Sequence, residues 1–496
     1  MGYTPPAYMS ELSDPSLLAS APVESPASPP APRFSPFVTA LAAVVLLAGL
    51  MMFFWLQISV PRLDRVQLPD RALELMIGRT MDVEEALTRV PAWERFLNNL
   101  TMGDGEDELP LAVDWYEELA AYSNEPLGQL QLGVLYGEAG RIEKVRRLVK
   151  SWERRPAPYP LYAELLLESA YLESRVSPTV QPALQTHLDE LLRAGWFHDR
   201  IAARLAAHAG DRKRLAAINE TQAARSGMLL TRVRWLAGVH LGCILAGAVA
   251  LWLVVRRGTD SFKVGRAPVP PPWRGRIGAI VLIRGGALGV VVMFVLLSIG
   301  ANDRLVEAVS VPAINLPLLV LARRHLFEPA GLKPAEAFGL RLTRGAGSRL
   351  AVVVAGLLAA SFVMEWVMSE IAQRAELSSH WTEWFDGDLV WGNLPDVAVS
   401  LTEYVLLAPV FEEIVFRGLL YATLRRRLGW GMSAVASASL FAVAHGYGVL
   451  GFTSVLWSGI VWAWAYEKSG SLLPGIVAHA INNLFVCFTV MYMLRG

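Results

Sequence analysis

Pro409-Val410-Phe411-Glu412-Glu413-Ile414-Val415-Phe416-Arg417-Gly418 sets two acids and a base inside a run, Val397 to Leu420, that otherwise suits hydrocarbon. A charge at the centre of a bilayer costs about 2.5–3.5 kcal/mol on insertion scales, so such residues point to a protein-lined or watered cavity. On a helix Glu413 and Arg417 fall only about 40° apart, one turn along the same face, and can pair. Glu412 lies about 100° round from Glu413, so Arg417 neutralises one carboxylate and leaves the other free to work on a water.

The composition around this stretch is that of a membrane protein. Of 496 residues, 53% are hydrophobic and 18% charged, and the mean hydropathy is +0.37, too apolar for a soluble chain of this length. The formal net charge is zero, which supplies no basic field and gives no reason to invoke nucleic acid as a partner. Cys243 and Cys487 both lie in apolar runs, so neither a disulfide framework nor a cysteine metal site is supported.

Residues 1–33 are rich in Pro, Ser and Ala without helical period and read as a disordered tail. Residues 34–60 hold an uncharged run, Ser35 to Val60, long enough to span a bilayer as an anchor. It begins too far from the N-terminus, behind Glu11, Asp14 and Glu24, to read as a cleaved signal peptide. Further spans read as Trp235–Val255, Ile277–Ala301, Val306–Ala322, Leu350–Ile371, Val397–Leu420, Ser433–Tyr447, Phe452–Tyr466 and Leu472–Leu494. The fold class is therefore all-α: a polytopic helical bundle of about nine spans. Residues 235–276 comprise the second span and a basic loop, and 277–496 a transmembrane domain that carries the polar motifs.

Basic residues cluster at 256–276, at 323–349 and at Arg425, Arg426 and Arg427, whereas 372–396 is acidic apart from Arg374. The excess of Lys and Arg puts the first three segments in the cytoplasm of a multi-pass cell-membrane protein. By alternation, residues 61–234 are extracytoplasmic.

That 61–234 insert is polar enough to be soluble and reads as amphipathic helices. Leu132-Gly133-Val134-Leu135-Tyr136, followed by Ala139-Gly140-Arg141, has the spacing of a tetratricopeptide (TPR) unit, and Leu205 to Asp211 repeats the turn two repeat lengths later. A TPR-like domain buries Gly133, Ala139 and Ala209 where helices approach, and its concave surface suits a protein partner.

Two later spans also carry polar pairs at i and i+4: Phe441 with His445, and His479 with Asn483. At 1.5 Å per residue, Glu412 lies about 20 Å before Arg425, His445 about 18 Å after Ser433 and His479 about 12 Å after Ser471. All three reference ends are cytoplasmic by the charge pattern, so the groups meet at a similar depth. A low-dielectric carboxylate is a stronger base toward water, and donors aimed at a developing alkoxide stabilise a tetrahedral intermediate. Glu412, His445 and His479 could also hold a divalent metal such as zinc, although ligands spread over three helices lack the fixed local spacing of a diagnostic metal motif. The residues alone leave the two versions open.

E-E-x-x-x-R, F-x-x-x-H and H-x-x-x-N, in that order on late spans, resemble the CAAX protease and bacteriocin-processing (CPBP) family of intramembrane endopeptidases, over about residues 277–494. The resemblance implies that Glu412 and His445 activate water, that His479 and Asn483 stabilise the oxyanion, and that Glu413 and Arg417 support them. It implies a protein or peptide substrate, membrane-associated or prenylated. The alternatives are a non-proteolytic scaffold or receptor that recruits a partner through 61–234, and a transporter, for which no inverted repeat is visible. Among the remaining polar residues His240 reads as packed, and Arg284 and Glu365 as snorkelling or paired. Glu403, about 180° from Glu412, should face away from the site. Trp55, Trp273, Trp391 and Trp430 read as interfacial anchors.

Overall fold

Uncharged apolar runs have nowhere but helices to satisfy their backbone in lipid, and in the computed structural model the described residues are predominantly helical, with no strand among them. These are 34–102, 108–123, 125–152, 159–173, 175–177, 179–258, 262–300 and 304–495. The tail at 1–33 lies outside them.

The anchor α1 (Pro36–Ser59) opens with Pro36 in its first turn and Ser35 as N-cap. There follow α2 (Pro69–Thr88), α3 (Ala92–Met102), α4 (Glu108–Tyr122), α5 (Pro126–Glu138), α6 (Ile142–Trp152), α7 (Tyr159–Leu167), α8 (Gln181–Leu191) and α9 (Trp196–His208). The bundle comprises α10 (Arg212–Arg257), α11 (Gly275–Gly300), α12 (Arg304–Ala322), α13 (Ala346–Arg374), α14 (394–424), α15 (Trp430–His445), α16 (Val449–Ser469) and α17 (Leu473–Leu494).

Seven helices among the described residues are long and apolar enough to cross a membrane. The two expected spans that miss this measure are α14 and α15, which bear the first two polar motifs. Helix α15 has only 16 residues and so extends about 24 Å, short of a hydrocarbon core of roughly 30 Å. Its path ends at His445, where Gly446 at φ +67° closes the helix. In α14 the turns at Thr402–Leu407 and Glu413–Tyr421 are π-helical.

Gly140 and Gly210 turn with φ of +68° and +74°. After each, a backbone N–H reaches back five residues: Arg141 to the Tyr136 carbonyl at 2.8 Å and Asp211 to that of Ala206 at 2.9 Å. The two hairpin turns are thus alike, as their sequences are. Gly133 is buried, and a Cβ there would run into Leu167. Ala139 and Ala209 are only half-buried, because each caps a helix at the rim of its hairpin rather than between two helices.

The expected boundary at residue 234 is no break. Helix α10 continues for 46 residues from the soluble domain into the bundle, because Arg232 and Arg234 interrupt its apolar character but not its backbone. Arg232 donates to the Tyr492 carbonyl at 2.7 Å, and Arg234 pairs with Glu94 at 2.5 Å. Lower down, Gly247 lets α10 come so close to α13 that a Cβ would overlap Ala359. Likewise Gly285 and Gly289 bring α11 onto α12 beside Leu318 and Ile314.

The apolar core of 61–234 does not stop at the domain's edge. Leu63, Tyr116 and Phe197 belong to one buried cluster with Trp381, Phe385, Leu389 and Val390 of the 375–393 segment and with Val490 and Leu494 of α17. His380 Nε2 lies 2.9 Å from Glu118 on α4, and Glu383 accepts the Gly448 N–H at 3.2 Å. Residues 61–234 are therefore packed on the 375–393 segment, which in turn bonds the turn that follows His445.

One of these single-residue readings changes. Trp273 is 6% exposed, with its indole N–H 3.4 Å from Thr423 Oγ1, and so packs inside the bundle instead of at an interface. Trp55 and Trp430 remain exposed. His240 packs edge-on to Phe362 with ring centroids 4.4 Å apart, and Arg284 binds Thr39 and the Ser35 carbonyl of α1.

Arg225 fastens α10 to the soluble domain, donating to both oxygens of Asp82 at 2.5 and 2.9 Å and to Asp199 at 2.7 Å. Asp82 is 2% exposed, and removing one partner of a buried charge pair costs about 3–5 kcal/mol. Arg225→Met should therefore raise hydrogen exchange in α2 and α9 at least about tenfold in nanodiscs. Unchanged protection there would show that the apolar core alone fixes the domain.

Candidate active site

The motif helices meet around a charge pair that is wholly withdrawn from solvent. Arg417 donates to Glu413 at 2.8 Å across one turn, with the two side chains 0% and 1% exposed. The guanidinium stands 4.2 Å from the Phe441 ring centroid and 5.1 Å from that of Trp462, so a desolvated cation lies between two aromatic faces. Space for the pair comes from glycines on other helices. A Cβ at Gly459 would meet Arg417 Nη2 at 2.9 Å, and one at Gly475 would meet Glu413 Oε2 at 2.8 Å.

His479 rises from α17 beside both carboxylates. Its Nε2 lies 3.7 Å from Glu412 Oε2 and its Nδ1 3.5 Å from Glu413 Oε1, while its ring stacks on Trp462 at 4.3 Å. His445, at the end of α15, has Nδ1 2.8 Å from the Phe441 carbonyl. A carbonyl only accepts, so Nδ1 carries the proton and Nε2 presents a lone pair. Phe441 itself stands 4.7 Å from His445 and 6.0 Å from His479, centroid to centroid. The aromatic of the second motif thus touches the cation and both histidines.

Asn483 occupies the next turn of α17 from His479, and its Nδ2 donates to the Tyr404 carbonyl at 2.9 Å. One amide hydrogen is used there and a second remains. The Tyr404 hydroxyl in turn donates to Asp386 at 2.8 Å, which joins α14, α17 and the 375–393 segment.

Glu412, His445, His479 and Asn483 all line one cavity of about 590 Å³. Glu413 and Arg417 are not among its lining residues; they sit behind it. By contact, Glu412 stands beside His479, while His445 reaches the same cavity from α15. Among the described residues no three His, Cys, Asp or Glu side chains converge as a metal-ligand group.

Glu403 corrects the helical projection. It lines the same cavity as Glu412, although nine residues of regular α-helix would set them on opposite faces. The π-helical turn at Thr402–Leu407 turns the chain less per residue and brings Glu403 round to the site. Trp462, Gly459 and Gly475 were not singled out in the sequence. Their roles come from contacts between helices, and no pattern within one span marks them.

Residues 395–485 match the family model for Rce1-like proteins, type II CAAX prenyl endopeptidase Rce1-like. The match is narrower than the expected 277–494, and it contains every motif residue. An Escherichia coli protein named "Uncharacterized 24.3 kDa protein" is 32% identical over 91 residues, 18% of this chain and 42% of that protein. The chain thus spans under half the length of that curated relative. No solved structure matches. The stretch that brings Glu412, His445, His479 and Asn483 to one cavity is accordingly the one that matches the Rce1-like, type II CAAX prenyl endopeptidase model.

Proposed function

We propose that this protein is an intramembrane endopeptidase that cleaves a membrane-associated protein, prenylated or otherwise, with Glu412 and His445 taking the proton from the attacking water. The observation that carries the reading is the convergence of Glu412, His445, His479 and Asn483, from three helices, on one cavity. The free lone pair on His445 Nε2 and the unpaired oxygen of Glu412 are acceptors for that proton. His479 and the second amide hydrogen of Asn483 are donors for the alkoxide that forms as water adds to the carbonyl. When the carbon–nitrogen bond breaks, the proton passes to the leaving amine. Buried behind the cavity, Glu413 and Arg417 hold the helices in register.

The soluble domain 61–234 is extracytoplasmic in this reading and recruits or presents the substrate. With cysteines introduced singly at exposed Arg146 and exposed Lys263, an impermeant thiol reagent added to intact cells should label position 146 and spare position 263. Labelling in the reverse sense would invert the topology.

Glu412→Gln keeps size and removes the base, so cleavage should fall by at least about 10²-fold, the lower end of general-base contributions. Comparing membrane proteomes of cells carrying the wild type and Glu412→Gln should reveal a peptide bond that stays uncut only in the variant. Identical proteomes from a correctly inserted variant would replace the enzyme with a scaffold.

On the substrate so identified, Asn483→Ala should lower kcat by roughly 10²–10³-fold with a much smaller change in KM, as loss of an oxyanion donor does. A change confined to KM would exclude Asn483 from the oxyanion site. Recovery of activity on adding divalent ion would assign the residue to a metal site instead.

A further inference from the structure

A second cavity of about 510 Å³ adjoins the first. The two share five lining residues, Glu365, Ser379, Trp384, Gly451 and Ser454, so they form one elongated cleft from Glu412 to the underside of the soluble domain. Met76 of α2 and Leu111 and Trp115 of α4 close its far side.

The charge on this cleft is one-sided. Glu108, Glu365, Glu383, Asp386, Glu403 and Glu412 line it, while neither Lys nor Arg does so among the described residues. The acids come from four separate segments, α4, α13, the 375–393 loop and α14, and two of them are fixed by hydrogen bonds. Glu383 accepts the Gly448 N–H, and Asp386 accepts the Tyr404 hydroxyl. A terminal carboxylate or acidic segment entering here meets repulsion throughout, and a cation meets attraction in a partly desolvated setting.

The length of the joined cavities suits an extended chain rather than a compact ligand. An extended chain offers carbonyl oxygens and side chains along its length, whereas a helix keeps its own carbonyls occupied.

We propose that the soluble domain forms the outer side of an acidic cleft that delivers an extended, lysine- or arginine-bearing segment of the substrate to Glu412 and His445. The proposal rests on the endopeptidase reading for its destination and on the joined cavities for its path. It makes 61–234 a specificity element and not only a recruiting module.

The test uses full-length protein in nanodiscs and three fluorescein-labelled twelve-residue peptides that differ only in two central residues, Lys-Lys, Gln-Gln or Glu-Glu. In the non-cleaving Glu412→Gln background, anisotropy should show the lysine peptide binding at least tenfold more tightly than the glutamate peptide, with the gap narrowing as salt is added. Glu365→Lys, where the cavities join, and Leu111→Lys, on the soluble domain, should each abolish that preference. Using both variants guards against misfolding of either one, and retained binding of the glutamine peptide shows that the cleft is intact. Equal binding of all three peptides, no binding of any, or a lysine preference that survives both variants overturns the proposal. Cleavage by wild-type protein without charge preference leaves the endopeptidase and removes the cleft. Selective binding without any cleavage does the opposite.

Discussion

The pairing of Arg417 with Glu413 in a site without solvent access is the constraint on which the bundle depends. A buried ion pair is seldom a net source of stability, because desolvating both charges can cost more than their attraction returns. Its value lies in what it forbids. Arg417 tolerates its position only while Phe441 and Trp462 cover its faces and while Gly459 leaves room for it. Those requirements fix α14, α15 and α16 relative to one another. Gly475 adds α17 through its approach to Glu413, and the same helix then sets His479 between the two carboxylates.

A second consequence follows for the soluble domain. Its apolar core runs without interruption into the 375–393 segment and the end of α17, so the domain and the helix bearing His479 and Asn483 share one packing unit. Tyr404 and Asp386 tie α14 into that unit. The polar residues of the site are thus held from behind by an ion pair and from the solvent side by a hydrophobic core, an arrangement that restricts both faces of the cavity.

What the sequence displayed well was whatever lies within one helical turn. Glu413 with Arg417, Phe441 with His445 and His479 with Asn483 are i, i+4 pairs, near enough along a helix to share one face, even for the first pair, which sits in a π-helical turn. The reading failed where such a departure accumulated over more than one turn. Glu403 projects away from Glu412 only on an uninterrupted α-helix, and the π-helical turn between them moves it to the same cavity. Trp273 belongs to the bundle and not to an interface because Thr423, distant in sequence, meets its indole. Gly459, Gly475 and Trp462 matter through contacts between helices, which no periodicity along one chain segment encodes. The edge at residue 234 was visible as a change in polarity, but polarity does not say whether a helix ends.

The unbroken run of α10 gives the molecule a lever. Between the Gly247 contact with α13 and the Arg225 clamp lie 22 residues, about 33 Å of stiff rod at 1.5 Å per residue. A tilt of about five degrees around the lower point would displace the upper one by roughly 3 Å along an arc of that radius. A displacement of residues 61–234 is therefore geared down into a small rotation where α10 meets α13, the helix that carries Glu365. Mechanical input at the surface and side-chain position in the bilayer become two ends of the same beam.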